Sequence, residues 1–172
     1  MISKKNLVLL GMMGVGKTAV GKLLAKKLNL QFFDIDQIIE KESKLKIKEI
    51  FEQKGEKYFR EKEEIISLNY LKKTNCVISL GGGAFINKNI RQKVMMKSKS
   101  FWLTTSTLIL KSRLKLNNKR PLINNIGINN IDNLINERNK FYSLANHKID
   151  CEKLTLNEIS NIIIKLNENK KN

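Results

Sequence analysis

The residues Gly11-Met12-Met13-Gly14-Val15-Gly16-Lys17-Thr18 fit G-x-x-x-x-G-K-[ST], a loop that cradles phosphate. Its glycines let the backbone turn tightly and approach an anion with no Cβ in the way. Its N–H groups form an anion nest, and the helix that follows turns its positive dipole end toward the same point. Lys17 is placed for the β- and γ-phosphates of a nucleoside triphosphate, and the Thr18 hydroxyl for Mg²⁺. Gly14, Val15, Gly16 and Ala19 complete the expected ATP-binding segment.

Further candidates lie downstream. Phe33-Asp34-Ile35-Asp36 carries two carboxylates at i and i+2. Both can reach a crevice if a strand ends there. One suits Mg²⁺, which takes one or two carboxylates together with phosphates and waters. The other can orient an attacking hydroxyl or accept its proton. Asp36 taken alone is also placed to N-cap a helix carrying Ile38 and Ile39. The apolar run Cys76-Val77-Ile78-Ser79-Leu80 ends without the acid that many P-loop NTPases carry there, which favours Asp34 as the metal ligand. That absence also argues against a motor, GTPase or helicase. In its place stand Gly81-Gly82-Gly83, which bring bare backbone N–H groups to a ligand or simply make a turn.

Arg60 precedes Glu63 by three residues, close enough on a helix to be held by it. Beside Phe51 and Phe59, such an arginine suits a small carboxylate ligand, which it grips bidentately. Taken alone, the pair reads first as a surface ion pair. Arg138 falls near Leu134, Ile135, Phe141 and Tyr142, where a cation either snorkels or meets a ligand. Lys119-Arg120-Pro121-Leu122 sits in a polar, irregular stretch. Its length and position make residues 115–127 a mobile lid, with Arg120 stabilising transferred charge. His147 is read as a surface or strand-edge residue with no role.

These groups need a scaffold. Short apolar runs alternate with helical patterns, which implies a parallel sheet in a three-layer α/β/α arrangement. Strands are expected near Asn6–Leu10, Gln31–Phe33, Cys76–Leu80, Ser100–Leu103 and Lys148–Cys151. Helices are expected near Lys17–Asn29, Asp36–Lys44, Ile47–Gln53, Glu56–Lys72, Asn87–Lys97, Ser106–Leu116, Asn129–Asn146 and Leu156–Asn167, the last opened by a capping box at Thr155 and Glu158. Ligands of such sheets collect at the carboxyl ends of the strands.

The chain has 172 residues, the length of one domain, 41% hydrophobic and 28% charged. No apolar run reaches the ~20 residues needed to span a bilayer. Lys4-Lys5 before Leu7–Val15 imitates a secretion signal, but Lys17 soon interrupts it and cleavage would destroy the phosphate loop. Cys76 and Cys151 lack metal-binding spacing and read as buried strand residues of a protein in a reducing cytoplasm. The net charge of +17 raises nucleic-acid binding. Yet the lysines are scattered, with no basic block and no interleaved aromatics. The charge instead favours small anionic substrates by steering.

Taken together, the sequence resembles shikimate kinase. The resemblance rests on GMMGVGKT at 11–18, FFDID at 32–36, IFEQKGEKYFR at 50–60, SLGGGA at 79–84, RPL at 120–122 and ERNKFY at 137–142, in the family's order, and runs from about Lys5 to Leu166. It implies a single P-loop kinase domain over 1–172 with sheet order 2-3-1-4-5 and a substrate-binding helical region at about 36–63. It also implies transfer of the ATP γ-phosphoryl group to the 3-hydroxyl of shikimate, with Mg²⁺ as cofactor, ATP as co-substrate, a monomeric enzyme, and neither nucleic acid nor membrane as partner. By position, the catalytic residues are Lys17, Asp36 and Arg120. Thr18 and Asp34 hold the metal, with Ser79 in support, and Arg113 lies against adenine. Asp36, Arg60, Arg138, Gly81, Gly82 and Gly83, with Phe51 and Phe59, take shikimate. The chain departs from the family's pattern at Leu156, where a proline is expected, and in a lid rich in Asn and Ile. A P-loop kinase for another small hydroxylated acid and a nucleic-acid-associated ATPase are the alternatives.

Overall fold

In the computed structural model, which describes residues 5–115 and 130–168, five strands form one sheet. They are β1 (Asn6–Leu10), β2 (Gln31–Asp34), β3 (Cys76–Ser79), β4 (Ser98–Thr104) and β5 (His147–Asp150). The order is β2-β3-β1-β4-β5, all neighbours are parallel, and the expected topology is met. Every residue of β1 and β3 is buried, because helices cover both faces of the sheet. Seven helices are found among the described residues: α1 (Lys17–Leu28), α2 (Ile35–Ser43), α3 (Ile47–Tyr70), α4 (Lys88–Lys97), α5 (Thr107–Lys115), α6 (Ile131–Tyr142) and α7 (Leu156–Glu168). A single 3₁₀ turn, Ala84–Ile86, precedes α4. None of these helices is long and apolar enough to cross a membrane.

Local chemistry sets the boundaries. Gly11 leaves β1 at φ 137°, and a Cβ there would run into the carbonyl oxygen of Leu103 on β4, so only glycine lets the chain turn off the sheet at this point. The expected pair of helices around Gly55 is met: α3 consists of two helical segments parted at that residue, whose backbone is not helical (φ 80°, ψ 168°). The capping box at α7 is present, with Thr155 N–H donating to Glu158 Oε2 (2.8 Å) and Glu158 N–H to Thr155 Oγ1 (3.3 Å). The alternative reading of Asp36 as a helix cap is corrected. Asp34 caps α2, its Oδ1 accepting from the Gln37 N–H at 3.3 Å, and Asp36 lies inside the first turn. Strand β4 is longer than expected, α6 is shorter, and Cys151 follows β5 rather than ending it. Both cysteines are free and buried. His147 opens the edge strand β5 and stacks on Phe101 (centroids 5.3 Å apart).

A buried polar clip joins the start of β1 to the end of α3. Asn6, 1% exposed, donates from Nδ2 to the Lys73 carbonyl (2.6 Å) and accepts at Oδ1 from the Cys76 N–H (3.2 Å). Replacing it by alanine leaves both backbone groups unpaired, at a cost of roughly 1–3 kcal/mol for each group that stays buried. Asn6→Ala is therefore expected to lower unfolding free energy in urea by about 2 kcal/mol. An unchanged denaturation midpoint would refute the clip's role.

Candidate active site

The carboxyl ends of the five parallel strands share one edge, and there the chain encloses a cavity of about 620 Å³. Its wall contains Gly14, Gly16, Lys17, Thr18, Ala19, Asp34, Asp36, Phe51, Phe59, Arg60, Ser79, Gly82, Gly83, Arg113 and Arg138. Residues from six separate stretches of sequence thus meet in one place. Val15 and Gly81 do not line it. Val15 is packed in the core, and Gly81 is buried behind the wall, where a Cβ would collide with Glu63 Oε1 and lie 2.7 Å from Asp36 Oδ1. Arg120 and the proposed lid, apart from Lys115, lie outside the described residues.

At the phosphate end, Lys17 is 8% exposed and folds back along its own loop, donating to the carbonyls of Gly11 (2.8 Å) and Met12 (3.0 Å). The Thr18 hydroxyl donates to Asp34 Oδ2 at 2.6 Å. Thr18, Asp34 and Ser79 therefore present hard oxygen donors beside the loop, the ligand type that Mg²⁺ takes. Among the described residues no group of three or more His, Cys, Asp or Glu could hold a metal by itself. Arg113 donates to the Gly14 carbonyl (3.1 Å), so α5 lies against the phosphate loop.

The other end is built around two arginines. Arg60 Nη1 donates to Glu63 Oε2 at 2.6 Å, and its Nη2 pairs with Glu56 Oε1 at 3.1 Å. The surface ion-pair reading is corrected, since Glu63 is 2% exposed. Burial alone would lower the Arg60 pKa, but Glu63 and Glu56 outweigh it and raise it. Burial pushes the Glu63 carboxyl up, while Arg60 and then Arg138 pull against that. The Arg60 guanidinium also lies over the Phe59 ring (5.2 Å).

Arg138 is 2% exposed, so it does not snorkel. Its Nη1 lies 3.6 Å from Met12 Sδ, its guanidinium also donates a hydrogen bond to the Tyr142 hydroxyl, and its Nε is buried with no hydrogen-bond partner among the described residues. Among the described residues no carboxylate forms an ion pair with it. Burial lowers its pKa accordingly. A buried cation in that state awaits an anion. The glycines are what let it approach. A Cβ at Gly82 would stand 3.1 Å from Arg138 Nη1, and one at Gly83 would stand 2.7 Å from Arg60 Nη1.

Several wall residues gave no sequence signal. Gln37, Glu40, Ile47 and Leu114 line the cavity through packing that no motif marks. Glu40 accepts from the Ile47 N–H (3.1 Å) and the Lys46 ammonium (3.1 Å), tying α2 to the start of α3. Its spacing from Ile47 belongs to no recurrent pattern.

A phosphate-binding loop at the carboxyl edge of a parallel sheet of order 2-3-1-4-5, with two arginines across the same cavity, is the arrangement of a P-loop kinase. The comparisons narrow this further. The shikimate kinase family model matches residues 13–167. A shikimate kinase from Sulfurihydrogenibium sp. is 43% identical over 155 residues, covering 90% of this chain and 93% of the relative. Shikimate kinase from Acinetobacter baumannii in complex with shikimate superposes with a TM-score of 0.91 at 28% identity, covering 97% and 96% of the two chains. The Aquifex aeolicus enzyme gives 0.82 at 34% identity, covering 94% and 95%. The chain belongs to the shikimate kinase family.

Removing the buried cation should stabilise the ligand-free protein. Arg138→Met keeps much of the side-chain volume and relieves the desolvation penalty, so unfolding free energy without ligand is expected to rise by about 1 kcal/mol. Urea denaturation measures it, and a loss of stability would show that Arg138 is already satisfied by its surroundings.

Proposed function

We propose that the protein phosphorylates the 3-hydroxyl of shikimate with ATP, giving shikimate 3-phosphate and ADP. Beyond family membership, the observation that carries this reading is the buried Arg138, paired with no carboxylate among the described residues, facing the cavity beside Arg60. A carboxylate-bearing polyol uses the whole wall at once. Its acid takes the two guanidinium groups, and its hydroxyls take Asp36 and the backbone at Gly82 and Gly83. Phe51 and Phe59, tilted against each other at 4.9 Å, cover the ring.

The phosphate loop holds the triphosphate by its N–H groups and by Lys17, which exchanges its own loop carbonyls for phosphate oxygens. Arg113 lies by the loop on the nucleotide side, and Arg120 is assigned to the transferred charge. Thr18 and Asp34, with Ser79 behind them, would hold Mg²⁺, which neutralises phosphate charge when bound. Asp36 orients the acceptor hydroxyl and accepts its proton as the new P–O bond forms and the bond to ADP breaks. Most of the rate comes from alignment and charge stabilisation, because the phosphoryl transition state is loose. We take the monomer as the working unit. Two free, buried thiols fit a reducing cytoplasm.

A coupled ADP-release assay with shikimate, gluconate, AMP or polyuridylate in turn tests this directly. Stimulation by shikimate alone is expected, and its absence would reject the assignment. A second prediction concerns the glycine turn. Gly83→Ala puts a methyl against Arg60, whose flexible end moves aside at little cost in stability. The KM for shikimate is expected to rise about tenfold or more, the loss of one charge-assisted bond, with the KM for ATP nearly constant. A parallel rise in both constants would contradict the division of the cavity into two ends.

A further inference from the structure

Tyr142 closes α6, one helical turn beyond Arg138 and on the same face. It is 1% exposed, among the largest fully buried side chains in the protein. Its hydroxyl donates to the carbonyl oxygen of Gly82 and accepts from the Arg138 guanidinium, so it bridges the two. Its ring packs on Trp102 of β4, with centroids 5.9 Å apart. Burial pushes the phenol up to about 12 although Arg138 pulls it down, so it remains a donor throughout the neutral range.

Gly82 is where three parts of the site converge. A Cβ there would lie 3.1 Å from Arg138 Nη1, 3.3 Å from the Met13 N and 3.8 Å from the Gly11 carbonyl. The phosphate loop, the glycine turn and the buried guanidinium thus share one contact point, and Tyr142 holds its carbonyl. Arg138 and Tyr142 are carried by the same helix, so the hydroxyl bond ties the height of the glycine turn to that of the guanidinium.

We propose that Tyr142 is a positioning residue for the acceptor. Its bond to the Gly82 carbonyl sets the spacing between the carboxylate-binding arginine and the phosphate loop, and so the placement of the reacting hydroxyl. This rests on the assignment of Arg138 and the glycine turn to shikimate made above.

Tyr142→Phe keeps the ring and its packing and removes only the hydroxyl. The expected result is a rise of about tenfold in the KM for shikimate and a several-fold fall in kcat, with the Kd for ADP unchanged by calorimetry. Trp102→Phe serves as the control, since it trims packing against the ring but leaves the hydrogen bond. It should lower the Tm while holding the KM for shikimate within about twofold of wild type. Wild-type kinetics in Tyr142→Phe would overturn the inference, as would an equal loss of ADP affinity. So would a matching rise in KM for Trp102→Phe at a similar Tm, because the effect would then follow general loosening. A wild-type chain that releases no ADP with shikimate would sink the underlying assignment and this inference with it. An active wild type with an unaltered Tyr142→Phe would sink this inference alone.

Discussion

One strand register supports the rest of the site. Leu9 of β1 lies beside Ser79 of β3 in parallel pairing, and the Leu80 N–H continues the ladder by donating to the Leu9 carbonyl at 3.2 Å. Two loops therefore leave the sheet at the same edge and the same height. One is the phosphate loop and the other is the glycine turn. Phosphoryl transfer requires donor and acceptor to be held in line, and this shared departure point supplies that geometry before any ligand arrives. The third strand in the arrangement, β2, pairs Asp34 with Ser79, which brings the oxygen donors for a metal to the same edge.

Close backbone approach is the second constraint. At Gly11, Gly82 and Gly83 a single added carbon would meet a carbonyl, a guanidinium or the phosphate loop itself. These positions lack side chains so that the two substrates' binding groups can stand next to one another. The crowding also explains why charged groups come to be buried here. Arg138 and Glu63 each lose hydration; Glu63 pairs with Arg60, whereas Arg138 meets the Tyr142 hydroxyl and the Met12 sulfur but no carboxylate ion pair among the described residues. A buried cation with no paired carboxylate favours an anion brought to the same cavity.

Much of this was legible in the chain. The five strands, their alternation with helices, the break at Gly55 and the α7 capping box all follow from local rules that act over a few residues: apolar runs, turn glycines and caps. The phosphate loop is legible for the same reason, since its chemistry is contained in eight consecutive positions. The arginines were visible as cations near apolar faces, but their states were not. Arg60–Glu63 has the spacing of any exposed helix pair, and Asp36 has the look of a cap. Only the packing of α3 against its neighbours buries Glu63, and only the start of α2 at Ile35 gives the cap to Asp34.

The sequence by itself determined the class of fold and the nucleotide half of the site, because both depend on residues that are neighbours along the chain. It also marked which cations and glycines belonged to the second half. What the tertiary structure alone decided is how those distant residues meet. Arg138 and Gly82 are separated by more than fifty positions, yet one guanidinium nitrogen stands where a side chain on Gly82 would have to go, and Tyr142 bonds to the same residue. No spacing rule connects such pairs. Their meeting depends on where α6 settles against the sheet, and that is set by the burial of Ile131, Ile135 and Tyr142 in a common core.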